Sequence, residues 1–203
     1  MKQYKDMIFD MGNVLLDFSP FSIVSNFTSD TSLINLLVKE IFYQQEWLDL
    51  DQGIMDEDTA YLQITKRLDS NYHTLVKQIL DHWHEYLVER DEMSELLSML
   101  KQKGYKLYLF SNASLRFNDY KNRMQVLTYF DQKIISAEIK LSKPSEAFYT
   151  KALELCGIEA KESFFIDDSP INILNANEYG IDGYIYNGSY TLLKDYLSKL
   201  NIL

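Results

Sequence analysis

Two kinds of apolar pattern divide the chain into a helical segment and an alternating remainder. From about Thr31 to Leu87, apolar residues recur at helical spacing and no strand-like run interrupts them. Each set supplies one apolar face per helix, so this segment predicts a small helical bundle. Gly53 and the polar run at 56–58 indicate the start of a new helix in its middle. The sets are Ile34, Leu37, Val38 and Ile41; Tyr61, Ile64 and Leu68; and Val76, Ile79, Leu80 and Trp83.

The remainder alternates short apolar runs with helical patterns. After a first strand in MIFD (7–10), strands are predicted at 105–111, 133–139, 163–167 and 181–187, and helices at 92–104, 115–129, 145–157, up to 180, and 191–200. This alternation predicts an α/β fold: a Rossmann-like parallel sheet with helices on both faces, plus an inserted α-helical bundle. We predict a core domain formed by residues 1–17 and 89–203. Residues 18–88 form the predicted cap, over the carboxyl ends of the strands, where such sheets bind ligands.

Polar residues collect at those predicted strand ends. Asp10 ends the first strand, Ser111 and Asn112 end the second, and Asp167 and Asp168 end the fourth. Lys143 lies in a loop before a helix, and Pro144 favours extended backbone there. Three carboxylates that converge repel one another unless a cation joins them, and Mg²⁺ prefers oxygen ligands, waters and substrate phosphate. Asp10 could then direct an oxygen at phosphorus, while Ser111 and Lys143 donate to the phosphoryl oxygens.

Each of these residues has an ordinary explanation when it is taken alone. Asp10 could belong to a turn, and Asp167-Asp168 could be a favourable acidic pair at a helix N-terminus. Ser111-Asn112 could cap a helix, and Lys143 could be a surface lysine. Four strand-end coincidences in one chain favour a shared site instead.

Composition restricts the partners of such a site. The 203 residues are 46% hydrophobic and carry a formal net charge of −10, which argues against a nucleic-acid partner. A phosphorylated ligand would need a local cation, and Lys143 supplies one. A single cysteine, Cys156, excludes an internal disulfide and fits a reducing compartment. No long apolar run indicates a signal peptide or a membrane span, so we expect a cytoplasmic protein without a membrane partner.

The order FDMGNVL, LFSNAS, KPSEAFY, FFIDDSPIN resembles the haloacid dehalogenase-like hydrolase superfamily over nearly the whole chain. The helical insertion resembles the small α-helical cap of that family. FD-x-GNV together with DQGIMDEDTAY (51–61) is similar to bacterial sugar-phosphate phosphatases, including those for glucose 1-phosphate.

The resemblance implies a role for each matching residue. It implies that Asp10 is the nucleophile that forms an aspartyl-phosphate. Asp10, Asp167, Asp168 and the backbone carbonyl of Gly12 would hold Mg²⁺. Ser111, Asn112, Gly12 and Lys143 would bind the phosphoryl group of a small phosphorylated metabolite, and Asn172 would be a supporting polar residue.

One position departs from the family pattern. Most phosphatases of the family carry a second Asp two residues after the nucleophile, where it serves as general acid and base, and this chain has Gly12 there. General acid–base help contributes ~10²–10⁴-fold to rate. Asp17 is one possible substitute, although a loop or helix-start role explains it equally well.

Two alternatives therefore stay open beside a Mg²⁺-dependent phosphatase. A 2-haloacid dehalogenase also uses an Asp nucleophile, but the Asp167-Asp168 pair suits a halide poorly. A non-catalytic or weakly active relative is supported by Gly12 alone. Trp47 and Tyr43, beside the acidic residues Asp49 and Asp51, could contact a sugar ring, although burial in the cap explains Trp47 as well. The substrate and the oligomeric state stay open.

Overall fold

Within the residues that the structure describes, 3–203, five parallel strands form one sheet in a computed structural model. The predicted core residues 1 and 2 lie outside that range. The strands are β1 (Asp6–Phe9), β4 (Lys106–Ser111), β5 (Gln132–Ile135), β6 (Ser163–Asp167) and β7 (Asp182–Ile185); a separate two-stranded ribbon contains β2 (Leu16–Asp17) and β3 (Val88–Glu89). The spatial order β5-β4-β1-β6-β7 confirms the predicted Rossmann-like α/β class.

The central strand β1 is buried on both faces. Met7 pairs in register with Leu107 of β4 and Phe164 of β6. Because successive side chains point to opposite faces, Met7 and Phe9 join one apolar layer and Ile8 joins the other. This burial explains why the strand is a continuous apolar run that stops at Asp10.

Helices cover both faces of the sheet and fill the insertion. Those of the alternating part are α6 (Asp91–Gln102), α7 (Phe117–Tyr120), α8 (Ser136–Ile139), α9 (Glu146–Cys156), α10 (Pro170–Glu178) and α11 (Tyr190–Lys199). Those of the insertion are α1 (Pro20–Val24), α2 (Thr31–Phe42), α3 (Gln45–Gln52), α4 (Glu57–Thr65) and α5 (His73–His82). Short 3₁₀ turns occupy Ser70–Tyr72, Trp83–Tyr86, Gln125–Tyr129 and Ala160–Glu162. None of the helices described is long and apolar enough to cross a membrane.

The ribbon lies where the chain enters and leaves the insertion. Leu16 pairs with Glu89 and Asp17 with Val88, in antiparallel register. An ion pair of 2.6 Å between Arg90 and Asp17 joins the same two chain segments, one that enters the insertion and one that leaves it. We propose on this basis that residues 18–88 are the cap and that the predicted boundaries hold.

Two predicted elements were wrong in part. The predicted strand 133–139 ends at Ile135, because Ser136 turns the backbone into α8 and its hydroxyl accepts a 2.9 Å hydrogen bond from the Ala113 amide. The predicted helix 115–129 is the short α7 followed by a 3₁₀ turn. There the amides of Gln125 and Val126 bond to the Glu89 carboxylate, so they are not available to a continuous helix.

The end of α3 packs closely on the core. Gly53 ends the helix in the left-handed conformation, at φ 72°. A Cβ at this position would stand 2.4 Å from the Ala137 carbonyl oxygen and 2.8 Å from the Ala137 Cα. The Ser136 hydroxyl donates to the Asp51 carbonyl, and Gln52 Nε2 donates to the Lys140 carbonyl at 3.4 Å. Glycine is required here by conformation and by the approach of two backbones.

Gly53→Ala is expected to destabilise the protein more than an ordinary left-handed glycine replacement. Urea unfolding checks this, with Gly157→Ala as the matched control. Gly157 ends α9 at φ 64°, and nothing lies within 4 Å of the Cβ it would gain. We expect the control to lose about 1 kcal/mol from conformation alone. Gly53→Ala should lose roughly 1–3 kcal/mol more from overpacking. Equal losses would show that the α3–α8 contact is not tight.

Candidate active site

Three neighbouring strands place the candidate residues at one edge of the sheet. Asp10 follows β1, Ser111 ends β4 and Asp167 ends β6. The Asp10 amide still donates to the Ile166 carbonyl at 2.9 Å, so the sheet ladder fixes its backbone. Both Ser111 and Asp167 are buried. Parallel pairing therefore brings together residues far apart in the chain, as the strand ends predict.

Lys143 supplies the positive charge of the site. Its Nζ donates to Asp10 Oδ1 and to Asp167 Oδ2, at 2.7 Å each, and the lysine is only 4% exposed. Burial lowers the pKa of Lys143 and the carboxylates of Asp10 and Asp167 raise it; the net direction is upward. A protonated ammonium thus bridges two carboxylates at the strand ends.

The Asn112 side chain holds the lysine loop in place. Its Oδ1 accepts from the Lys143 amide and its Nδ2 donates to the Lys143 carbonyl, both at 2.9 Å. These bonds engage both polar atoms of the Asn112 side chain. Its predicted role in phosphate binding stays a prediction, whereas its contact with Lys143 is direct.

Asp10, Asp167 and Asp168 form a cluster suited to a cation. One oxygen from each carboxylate lies within 4.8 Å of the others. Burial raises the pKa of Asp10 to about 7, Lys143 opposes that rise and Asp167 adds to it. Burial likewise raises the pKa of Asp168. This set of carboxylate oxygens, buried in Asp10 and Asp167 and partly buried in Asp168, matches what a hard divalent ion prefers, and the ion would relieve the mutual repulsion.

Asparagine side chains orient the carboxylates of the cluster. Asn172 Nδ2 donates to both Asp167 oxygens at 3.0 Å, so the polar residue expected at this place touches a candidate metal ligand. The Ser169 amide donates to Asp167 Oδ1 at 2.8 Å. Asn13 Nδ2 donates to Asp168 Oδ2 at 3.1 Å. The sequence alone assigned no role to Asn13, and its place in the Gly-Asn pair after a strand end is the signal that could have indicated one.

A cavity of about 130 Å³ opens at these strand ends, beneath the inserted helices. Asp10, Gly12, Ser111, Asn112, Lys143 and Asn172 contribute polar or backbone surface to it. Its other walls are mainly apolar, formed by Met11, Leu16, Phe18, Trp47, Trp83, Leu87, Ala113 and Tyr120. These six residues therefore share a cavity with residues of the insertion, whereas Asp167 and Asp168 lie beside Asp10 and are not part of the described lining.

Trp47 belongs both to the interior and to the cavity wall. Its ring lies 5.2 Å from that of Trp83 and 4.5 Å from that of Phe42, between centroids. Trp47 is thus buried in the interior and also lines the cavity, and its contact with a sugar ring stays a prediction. Tyr43 is 70% exposed and is absent from the described cavity lining, so the structure gives its suggested contact with a ligand no support.

Asp51 is the carboxyl group that the insertion brings to the cavity. The sequence grouped it with Asp49 as an acidic residue near Trp47, but the structure separates the two. Asp49 accepts from Gln45 at 2.8 Å, whereas Asp51 lines the cavity. Burial raises the pKa of Asp51 well above its usual range; hydrogen bonding from the Ser114 backbone opposes this, the charge of Asp10 adds to it, and hydrogen bonding from Trp47 opposes it.

Asp17, the substitute considered for the missing acid, lies elsewhere. Its carboxylate pairs with Arg90 at 2.6 Å and more than half of its side chain is exposed. In the part of the chain that the structure describes, the cavity lining does not include it. Its ion pair with Arg90 gives Asp17 a structural contact at the ribbon instead.

A family comparison agrees with this architecture. Residues 7–185 match the model of the haloacid dehalogenase-like hydrolases. The chain belongs to that family. It is 28% identical over 158 residues to flavin mononucleotide hydrolase 1 of Arabidopsis thaliana, covering 77% of this chain and 62% of that protein. It is 24% identical over 209 residues to a pyrimidine 5′-nucleotidase of Streptococcus pneumoniae, covering 91% and 84%.

A solved structure of the family is similar over nearly the whole fold. It is a Bacteroides thetaiotaomicron enzyme described as a complex with magnesium and inorganic phosphate. The TM-score is 0.73 at 27% identity, over 94% of this chain and 98% of that one. The chain is thus a hydrolase of this family by sequence and by fold.

Lys143→Met is expected to destabilise the metal-free protein by about 3 kcal/mol, because it leaves two buried carboxylates without their cation. Urea unfolding in EDTA measures this loss.

Lys133→Met is the matched control for Lys143→Met. Lys133 is a half-buried residue of β5, and no ion pair to it is found within residues 3–203. We expect the free energy of unfolding of this control to stay within about 1 kcal/mol of that of the parent protein. If both variants lose the same free energy, the lysine does not hold the carboxylate cluster together.

Proposed function

We propose that the protein is a Mg²⁺-dependent phosphatase that hydrolyses small phosphorylated metabolites through an aspartyl-phosphate on Asp10. The observation that carries this proposal is the position of Asp10, bound to Lys143 and next to Asp167 and Asp168 at the floor of a cavity. A strand-end carboxylate with a cation on one oxygen keeps its other oxygen for attack on phosphorus.

The first step forms a bond between a free Asp10 oxygen and phosphorus, and breaks the bond from phosphorus to the leaving oxygen. Lys143 holds Oδ1 of Asp10, so Oδ2 is the attacking atom in this proposal. The Ser111 hydroxyl and the Lys143 ammonium are donors for the phosphoryl oxygens, where charge lies in the transition state. Water then attacks phosphorus, which releases phosphate and returns the Asp10 carboxylate.

Mg²⁺ is the proposed cofactor because the donors present fit it. Asp10, Asp167 and Asp168 would hold it, with the Gly12 carbonyl that the family resemblance adds. When bound, Mg²⁺ neutralises charge on the phosphoryl oxygens. Asn172 and Asn13 keep Asp167 and Asp168 oriented for this task.

Three observations support a phosphate ester over a haloacid. Two further carboxylates beside Asp10 would repel a departing halide. A cation bound by these carboxylates would instead attract a phosphate group. Lys143 meets the need for a local cation in a chain of net charge −10. The names of the two curated relatives, a flavin mononucleotide hydrolase and a pyrimidine nucleotidase, describe hydrolysis of phosphorylated small molecules.

The substrate in this proposal carries a ring, and a sugar phosphate is the predicted class. Trp47 and Trp83 line the cavity and could pack against the face of a sugar or of a flatter ring. A cytoplasmic location belongs to the same proposal and is supported by the single cysteine.

A panel of phosphate esters tests this function. With Mg²⁺, we expect phosphate release from p-nitrophenyl phosphate and from at least one of glucose 1-phosphate, flavin mononucleotide and pyrimidine mononucleotides. EDTA and Asp10→Asn should each reduce that release to background, because one removes the cation and the other the nucleophile.

Asp17→Asn is the matched control, since it makes the same change outside the cavity. It should keep phosphate release within about twofold of the parent, as expected for a surface charge. Silence across the panel would point to a non-catalytic relative. Halide release from 2-haloacids that persists in EDTA would point to a dehalogenase.

A further inference from the structure

The proposed reaction needs a proton donor that position 12 does not provide. When phosphorus leaves an alkoxide oxygen, that oxygen must gain a proton, and Gly12 has no side chain to give one. The donor has to be an ionisable group that faces the cavity. Of the residues described, the cavity lining holds four such groups: Asp10, Asp51, Tyr120 and Lys143.

Three of these groups are occupied or poorly suited. Asp10 is the proposed nucleophile, and Lys143 is engaged by two carboxylates at 2.7 Å. Tyr120 is buried, and its hydroxyl faces the Met11 sulfur at 4.0 Å. A phenol that gives up its proton there would leave a buried phenolate beside sulfur. Asp51 is the carboxyl group that remains.

The fold fixes Asp51 in place although an inserted helix carries it. The Asp51 carbonyl accepts from the Ser136 hydroxyl, and Ser136 in turn accepts from the Ala113 amide. The next turn of chain packs Gly53 against the Ala137 backbone. Ala113 follows Ser111 and Asn112 in the chain. The same segment therefore carries the proposed hydrogen-bond donors to phosphate and, through Ser136, holds the backbone of Asp51 in place.

The surroundings of Asp51 favour a protonated carboxyl. Burial raises its pKa, and the charge of Asp10 acts in the same direction. Hydrogen bonding from the Ser114 backbone and the Trp47 side chain lowers the pKa and offsets this rise only in part. A cavity-lining carboxyl that keeps its proton is suited to donate it.

We propose that Asp51 is the general acid and base of this enzyme and takes the role that a side chain at position 12 would otherwise fill. As Asp10 attacks phosphorus and the leaving oxygen departs, Asp51 transfers its proton to that oxygen. The Asp51 carboxylate then takes a proton from the water that attacks the aspartyl-phosphate, which restores both groups. This inference rests on the proposed phosphatase function.

Two esters with similar rings but different leaving groups test the role. Benzyl phosphate releases an alkoxide that needs a proton, whereas p-nitrophenyl phosphate releases a stable phenolate. Single-turnover release of the alcohol or phenol is measured with Mg²⁺. Asp51→Asn should slow benzyl alcohol release by ~10²–10⁴-fold, the usual contribution of a general acid. The loss for p-nitrophenol release should be at least about tenfold smaller.

Asp49→Asn is the matched control on the same helix, because Asp49 bonds to Gln45 and not to the cavity. It should change neither release rate. Asp51→Ser serves as a second acid-free variant if Asp51→Asn folds poorly, as judged by its urea midpoint.

Restoring an acid at position 12 gives an independent readout. A Cβ at Gly12 would meet only the Phe18 Cβ, at 3.9 Å, so the Cβ of an aspartate fits at this position in Gly12→Asp. Added to Asp51→Asn, it should recover benzyl phosphate turnover, which a merely structural role of Asp51 would not allow.

The outcomes separate the two proposals. Equal losses on both esters, or no loss on either, would overturn the role of Asp51 while the phosphatase function stands. A parent protein that releases neither alcohol nor phenol with Mg²⁺ would overturn the function and this inference together.

Discussion

The buried ammonium of Lys143, bonded to Asp10 and Asp167, is the interaction on which the rest of the site depends. A parallel sheet whose neighbouring strands end in carboxylates gathers negative charge at buried positions. Such an arrangement is unfavourable unless a cation compensates it. Lys143 does so from within the chain, and two hydrogen bonds between the Asn112 side chain and the Lys143 backbone keep it there.

The same charge arrangement links stability to chemistry. A lysine between two carboxylates binds one oxygen of Asp10, and Asp10 also lines the cavity. Asp168, outside that pair and oriented by Asn13, completes a set of oxygens for a divalent ion. The proposed metal ligands, the proposed nucleophile and the lysine proposed to bind phosphate are thus parts of one electrostatic structure.

The strand ends were predictable, whereas the sequence did not show which acidic residue of the insertion lines the cavity. Asp10, Ser111 and Asp167 each close an apolar run, so parallel topology alone predicts that they converge. No periodic pattern in the sequence predicts that Asp51 lines the cavity. It does so because α3 contacts Ser136, and that contact depends on tertiary packing. The strand predicted over 133–139 was wrong for the same reason: Ser136 forms tertiary hydrogen bonds that local apolar pattern does not reveal. Asp17 was the nearer candidate in sequence, yet the ribbon commits it to Arg90.

Direct detection of the phosphorylated nucleophile tests the central claim most closely. The protein is mixed with p-nitrophenyl phosphate and Mg²⁺, quenched, and treated with borohydride, which reduces an acyl phosphate to an alcohol; peptide mass spectrometry then locates the change. The account predicts reduction at position 10, dependent on substrate and Mg²⁺. Reduction at another carboxylate, or none during rapid phosphate release, would contradict it.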